Sequence, residues 1–410
     1  MKPPSHPGIS LRVKGGAGCP PPAAAGAVGT PRPTEVGEDR PAPADPGANA
    51  ANYALASEAA AHQLTPPELP YLPPAPRHYR PRIGLIGCGG ITANHLAAYR
   101  DAGWEVAAFC DVNEARARAR RDEFNPAAPV FTDHRRVLEG DAVDVVDVAL
   151  HPEPRLQVVE DALRARKHVL SQKPFVTDLG DGRRLVALAR AAGVKLAVNQ
   201  NGRWAPYMSW ARQAVAAGLL GDVQTVNIRI HWDHTWTRGT PFEEVHHLIL
   251  FDFGIHWFDM LAQVFAAQPP QRVMASVARA PGQAVKPPLL AQATVQFAEG
   301  LGALSFDGHS RFGATESLEI TGTRGTLHAR GKVLECESVT LWTADGVCRP
   351  SLAGRWFNDG FRGAMGELLC AIEDDREPAN AAADNLRSLA LCLAALRAAD
   401  TGTPQTPEAG

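Results

Sequence analysis

From Arg82 onward, short apolar runs alternate with segments whose apolar positions recur every three to four residues. The runs predict strands at Ile83–Ile86, Glu105–Cys110, Val143–Leu150, His168–Ser171 and Val194–Asn199. The segments between them predict helices over Ala93–Arg100, Asn113–Glu123, Glu153–Arg166 and Leu179–Ala192. Strands alternating with helices predict a parallel, doubly wound sheet. Past Arg203 the period changes. After one helix (Tyr207–Ala217), β-rich runs follow at Val223–Trp232, Arg272–Ala278, Ala291–Phe297, Gly302–Phe306, Ser317–Thr321 and Gly325–His328. Runs in direct succession predict a large open, mostly antiparallel sheet. Helices Arg362–Glu373 and Asp384–Ala399 close the chain, the last packing back on the first sheet.

The turn after the first strand reads Gly87-Cys88-Gly89-Gly90-Ile91-Thr92. Strand, glycine turn and helix in this order form a dinucleotide-binding pattern. Gly87 permits the turn, Gly89 lets backbone approach a pyrophosphate, and the helix N-terminus offers N–H groups to the anion. The second strand ends at Asp111, whose carboxylate suits the ribose hydroxyls of NAD and repels the 2′-phosphate of NADP. The cofactor expected is NAD, with NADP disfavoured. The alternative role for Asp111 is a helix N-cap. Ligands of such sheets lie at the carboxyl ends of the strands. His151, Gln172-Lys173-Pro174 and Asn199-Gln200-Asn201 fall there.

A second constellation lies in residues 248–261, apolar nearly all round. As one helix it must be buried. Asp252, His256 and Asp259 then share a face by their spacing of four and three. Buried charge needs partners or a ligand. The alternatives are a self-satisfied Asp–His pair or a catalytic group. For oxidation of a carbinol, His256 is a candidate base. Asp252 would orient its ring, and Lys173 would hold the same oxygen. Lys173 and His256 can share the proton.

These motifs resemble the Gfo/Idh/MocA family of oxidoreductases, relatives of glucose–fructose oxidoreductase and inositol dehydrogenase. The resemblance spans Arg82 to about Gly402. It rests on the glycine loop, on Lys167–Pro174, on Asp252-Phe253-Gly254-Ile255-His256-Trp257-Phe258-Asp259, and on Asp384-Asn385-Leu386. Gln172 stands where Glu is more usual, and His151-Pro152 where Thr-Pro is. The resemblance implies Lys173, Asp252 and His256 as the catalytic group. Candidate cofactor contacts are Gly87, Gly89, Gly90, Ile91, Asp111, His151, Lys173 and Gln200. Candidate substrate contacts are Lys173, Asn201, Arg203, His231, Asp252 and His256.

The fold class expected is α/β. An N-terminal Rossmann domain (81–202, with 381–402) precedes a C-terminal α+β domain (203–380) for substrate binding and oligomerisation. An open sheet face predicts a homodimer or homotetramer. The expected function is hydride transfer between NAD and a secondary hydroxyl of a sugar, glycoside or cyclitol. The alternatives are a redox-neutral NAD-using glycosidase or lyase, and a nucleotide sensor without turnover.

Composition narrows the classes. A net charge of -3 offers no basic field for nucleic acid, and no apolar run suits a membrane span. The 7 cysteines form no CxxC pair, which suits reduced thiols and a cytoplasmic location. Five histidines (His231, His234, His246, His247, His256) match no zinc signature, so no metal is expected. In the strand after Asn227, Arg229, His231 and Asp233 share one face. Trp204, Trp232 and Trp236 are candidates to stack on a sugar ring. Residues 1–50, rich in Pro, Ala and Gly, read as disordered. Residues 51–64 read as a short helix, and Pro66–Pro81 as an extended lead-in.

Overall fold

Six short strands build the first sheet. They are β1 (Arg82–Ile86), β2 (Glu105–Cys110), β3 (Val130–Phe131), β4 (Val145–Val148), β5 (His168–Gln172) and β6 (Leu196–Asn199). The connecting helices are α1 (Thr92–Ala102), α2 (Glu114–Phe124), α3 (His134–Leu138), α4 (Pro152–Arg164) and α5 (Leu179–Ala192). The strand order is β3-β2-β1-β4-β5-β6, and every neighbouring pair is parallel. The order reverses between β1 and β4, and there the carboxyl ends open a crevice. The sequence pattern missed β3 and α3. Two residues of strand and five of helix are too short to establish a period.

The computed structural model describes residues 62–332 and 334–408. The expectations for 1–50, and for 51–64 up to residue 61, lie outside the described residues. From His62 the backbone is extended, not helical: Gln63 bridges to Val347, and the Leu64 amide donates to the Val347 carbonyl at 2.7 Å. Pro66 and Pro67 follow at once, and proline turns the preceding backbone away from helix.

After α6 (Pro206–Ala216) comes the second sheet. Its strands are β7 (Val223–His231), β8 (Pro270–Ala278), β9 (Leu290–Phe297), β10 (Gly300–Asp307), β11 (Thr315–Gly322), β12 (Gly325–Lys332), β13 (Glu335–Thr343) and β14 (Gly346–Cys348). The order is β14-β13-β12-β11-β7-β10-β9-β8. Only the β7–β10 pair is parallel. One face packs on α7 (Ile255–Val264). The other carries polar side chains, among them Asn227, Arg229, Gln292, Thr294, Glu319 and Arg330.

α8 (Trp356–Glu373) lies against the nucleotide domain, although the sequence reading placed it in 203–380. Its Phe361, Ala364, Met365, Leu368 and Leu369 share one core with Ile83, Leu85 and Leu96. The lead-in runs along the same helix: the Glu373 carboxylate accepts the amides of His78 and Tyr79, each at 2.8 Å. α9 (Ala382–Thr401) bridges the two domains, packing on α5, α7 and β8.

Residues 248–261 are not one regular helix. Ile249–Phe253 form a π-helical turn, and the Gly254 amide donates to the Ile249 carbonyl at 2.7 Å. The extra residue shifts the helical phase, as π-turns do. Asp252, within that turn, is therefore out of phase with His256 and Asp259, which lie in the regular helix beyond it.

Candidate active site

The glycine loop has the shape its sequence requires. Gly87 sits at φ 93°, and a Cβ there would meet the Ala149 carbonyl at 2.6 Å. Gly89 and Gly90 face open space. The N-terminus of α1 has no side-chain cap. Among the described residues, the amides of Gly89, Gly90 and Ile91 have no recorded partner. Free amides above two unobstructed glycines fit a pyrophosphate. Thr92 takes the third position of the motif; it is fully buried, and its hydroxyl donates to the Gly89 carbonyl at 2.6 Å.

Asp111 stands beside this loop and does not cap α2, because Asn113 does that. One Asp111 oxygen accepts the Cys88 amide and the other the Asn113 amide, each at 2.8 Å. The carboxylate is thus fixed beside the glycine loop. His151 follows β4, exposed at the N-terminus of α4, with its ring 5.5 Å from that of Phe242.

The Lys173–Pro174 peptide at the end of β5 is cis. Lys173 Nζ reaches across to the π-helical turn. It donates to Asp252 Oδ2 at 3.0 Å and to the Asp252 carbonyl at 2.9 Å. The ammonium also lies 5.7 Å from the centre of the Phe253 ring. The pair is enclosed but not sealed, with side-chain exposures of 16% and 11%.

Asp252 does not orient His256, contrary to the sequence expectation: its described side-chain partner is Lys173. Gln200 takes that place. Its Nε2 donates to the Ile255 carbonyl at 3.2 Å and lies 3.4 Å from His256 Nδ1. Burial, and then the Lys173 charge, hold His256 well below its ordinary pKa, so the ring is neutral. Gln200 itself is fully buried and supports His256.

Three of the expected substrate contacts lie elsewhere. Arg203 is engaged by Asp259 (2.8 and 2.6 Å) and Asp384 (2.8 Å), with 1% of its side chain exposed. A buried guanidinium satisfied by two carboxylates is structural. Asn201 accepts the Trp356 indole N–H at 3.1 Å and so sets Trp356 against His256. His231 points to the open sheet face, because the buried positions of β7 are Val226, Ile228 and Ile230.

Of the three tryptophans, Trp204 is core. Trp232 and Trp236 form an aromatic wall with His234, Phe242 and Phe253 beside Lys173. Trp236 is 52% exposed. His234 is buried beneath the wall, and burial pushes its pKa down to about 4. The histidines do not converge. His246 and His247 meet Asp400 away from the site, their ligand atoms all within 4.8 Å of one another.

The sequence reading missed a buried network below Lys173. Asp147 in β4 accepts from Tyr99 Oη (2.6 Å) and His95 Nδ1 (2.7 Å). His95 Nε2 then faces the amides of Gln172 (3.1 Å) and Asn199 (3.3 Å). Gln172 Oε1 accepts the Lys173 amide at 2.7 Å. Gln172 thus links the network to Lys173. The signal was available: a carboxylate inside an apolar strand, as in Val145-Val146-Asp147-Val148, demands partners.

Residues 81–200 match the model of an oxidoreductase family with an NAD-binding Rossmann fold, and residues 208–328 match the GFO/IDH/MocA C-terminal domain. The chain belongs to the Gfo/Idh/MocA family. D-apiose dehydrogenase of Paraburkholderia graminis is 28% identical over 334 residues, covering 78% of this chain and 87% of that one. The 1,5-anhydro-D-fructose reductase of Ensifer adhaerens is 29% identical, with coverages of 80% and 99%. Inositol 2-dehydrogenase of Rhizobium meliloti is 26% identical, with coverages of 77% and 96%. Among solved Gfo/Idh/MocA-like folds is an oxidoreductase from Agrobacterium radiobacter in complex with NAD+, L-tartaric acid and magnesium. It superposes with a TM-score of 0.72 at 20% identity, covering 80% of this chain and 98% of that one. The WlbA dehydrogenase from Bordetella pertussis, in complex with NADH and UDP-GlcNAcA, gives 0.67 at 22% identity, with coverages of 81% and 100%.

Proposed function

We propose that this protein is an NAD-dependent dehydrogenase acting on a secondary hydroxyl of a sugar, glycoside or cyclitol. The observation that carries the reading is the Lys173–Asp252 pair, partly open and joined by neutral His256, at the crevice of a nucleotide-binding sheet. Relatives named D-apiose dehydrogenase, 1,5-anhydro-D-fructose reductase and inositol 2-dehydrogenase support the substrate class.

When bound, NAD supplies the hydride acceptor. Gly89, Gly90 and Ile91 would hold its pyrophosphate with backbone amides, and Asp111 its adenosine ribose. Asp111 favours NAD over NADP because its charge repels a 2′-phosphate. The chain's own task is to hold the carbinol and take its proton. Neutral His256 accepts the hydroxyl proton on a ring nitrogen. Lys173, its ammonium held by Asp252, hydrogen-bonds the same oxygen and stabilises the alkoxide charge that develops on it. The two groups act on one oxygen. The apolar wall of Trp232, Trp236 and Phe253 lowers the local dielectric beside Lys173, which strengthens both contacts.

The test is a panel of sugars, glycosides and inositols mixed with NAD and followed by the absorbance of reduced cofactor. Turnover on at least one polyol, with NADH formed in step with oxidised product, is expected. Product formed without net NADH would favour redox-neutral chemistry. NAD binding without turnover on any compound would favour a sensor.

A further inference from the structure

One buried cation sits directly behind Lys173, and the reaction described above gives it no role. Arg155, in the first turn of α4, is 1% exposed. Among the described residues, no carboxylate lies within ion-pair distance of it. Its donors go instead to backbone. Nε donates to the Leu150 carbonyl at 3.0 Å. Nη1 donates to the carbonyls of Gln172, Pro174 and Phe175. Nη2 lies 3.5 Å from the Lys173 carbonyl.

We propose that Arg155 is the positioning residue for Lys173: its guanidinium gathers four consecutive carbonyls, from Gln172 to Phe175, and so fixes the turn from which the lysine reaches Asp252. The proposal rests on the dehydrogenase reading and adds a residue to it.

Three physical arguments carry it. Successive carbonyls of a strand point to opposite sides, so four in a row converge only where the backbone curls around a shared donor. Guanidinium is the one side chain with five N–H donors in a rigid fork, enough for such a set. Burying it without a counter-ion is expensive, and burial brings its pKa down to about 9. The carbonyl bonds are what offset that cost, and they all lie along the catalytic turn or at the end of β4. Lys173 is then fixed at three points: its carbonyl side by Arg155, its amide by Gln172, and its ammonium by Asp252.

The test compares Arg155→Lys and Arg155→Met with Lys173→Met, on whichever polyol the panel identifies. Lysine keeps the charge but cannot span the carbonyls. Arg155→Lys should lower kcat about 10- to 100-fold while KM and NAD affinity change less than about threefold. The primary deuterium isotope effect on kcat should rise as hydride transfer slows. In the Lys173→Met background, Arg155→Lys should cost almost nothing more, because it acts through the lysine. Hydrogen exchange at the Lys173 amide reads the clamp without turnover and should quicken about tenfold or more in Arg155→Lys. Arg155→Met should behave as a more severe version; if it fails to fold, Arg155→Lys decides alone. Wild-type kcat and amide protection in Arg155→Lys would overturn the proposal. So would an equal loss in the wild-type and Lys173→Met backgrounds. If Lys173→Met itself kept full turnover, the dehydrogenase site would be wrong, whereas loss in Lys173→Met with none in Arg155→Lys would remove only the clamp.

Discussion

Two ion pairs anchor the segment 252–259, and they do different work. Lys173 meets Asp252 at 3.0 Å, and Arg203 meets Asp259 at 2.6 and 2.8 Å. The acids are seven positions apart on one segment. The second pair is complete: Asp384 also takes Arg203, Ser388 donates to Asp259 at 2.6 Å, and only 1% and 3% of the two side chains are exposed. The first keeps 16% and 11% exposed and faces an aromatic wall with one edge in solvent. A saturated pair holds domains together, and an unsaturated one can exchange partners with a ligand. Residue type alone does not separate them. The remaining partners do.

Mutation should break that comparison in opposite directions. Lys173→Met and His256→Asn should each lower turnover about 10²–10⁴-fold with melting temperature nearly unchanged. The double mutant should fall well short of the product of the two losses, since both groups act on one oxygen. Steady-state kinetics with calorimetry would measure both effects. Asp259→Asn should do the reverse, losing about 3–5 kcal/mol of stability because Arg203 is left buried and underpaired. Urea unfolding reads that loss. Equal stability costs for Lys173→Met and Asp259→Asn would erase the distinction.

A third carboxylate, Asp111, sharpens the contrast from the cofactor side, because its oxygens are held by backbone amides and, among the described residues, no cation pairs with it. Asp111→Ser should weaken NAD about 10- to 100-fold and narrow its gap over NADP. Binding titrations of both cofactors check this; equal affinity in the unmutated protein would contradict the assignment.

The smallest effect expected concerns Glu316, a buried carboxyl with no cation beside it among the described residues. It accepts from Tyr207 and from the Trp257 indole at 3.0 Å, and burial pushes its pKa up to about 8. The folded state holds this proton more tightly than the unfolded chain, whose glutamate titrates near ~4.3. The stabilisation is therefore full below that value and is lost as pH rises through about 8. Glu316→Gln keeps the neutral form at every pH. Wild type should lose melting temperature relative to Glu316→Gln between about pH 5 and about pH 9. A constant difference across that range would show that Glu316 ionises normally.

Much of this was legible in the chain, for reasons that can be named. Local rules reached β1, the glycine turn, Asp111 and most helices, because turn chemistry and periodicity act within a few residues. The family motifs marked Lys173, Asp252 and His256. What failed needed contacts distant in sequence. A regular helix over 248–261 put Asp252, His256 and Asp259 on one face, and the π-turn at Ile249–Phe253 takes Asp252 out of phase with the other two. Arg203 looked free to meet a ligand because Asp259 and Asp384 lie far along the chain. His231 was grouped correctly with Arg229, but the pattern could not say which sheet face the substrate uses. Arg155 gave no signal, because its partners are carbonyls, which every residue carries.

The central claim is that hydride leaves a substrate carbon for the cofactor at the Lys173–His256 site. The most direct measurement uses a polyol from the panel, deuterated at the reacting carbon, with mass analysis of the cofactor after turnover. The label should appear in reduced NAD, one per substrate oxidised, and should vanish from it with Lys173→Met. Deuterium retained in the product or released to water, with no labelled reduced cofactor, would contradict the account.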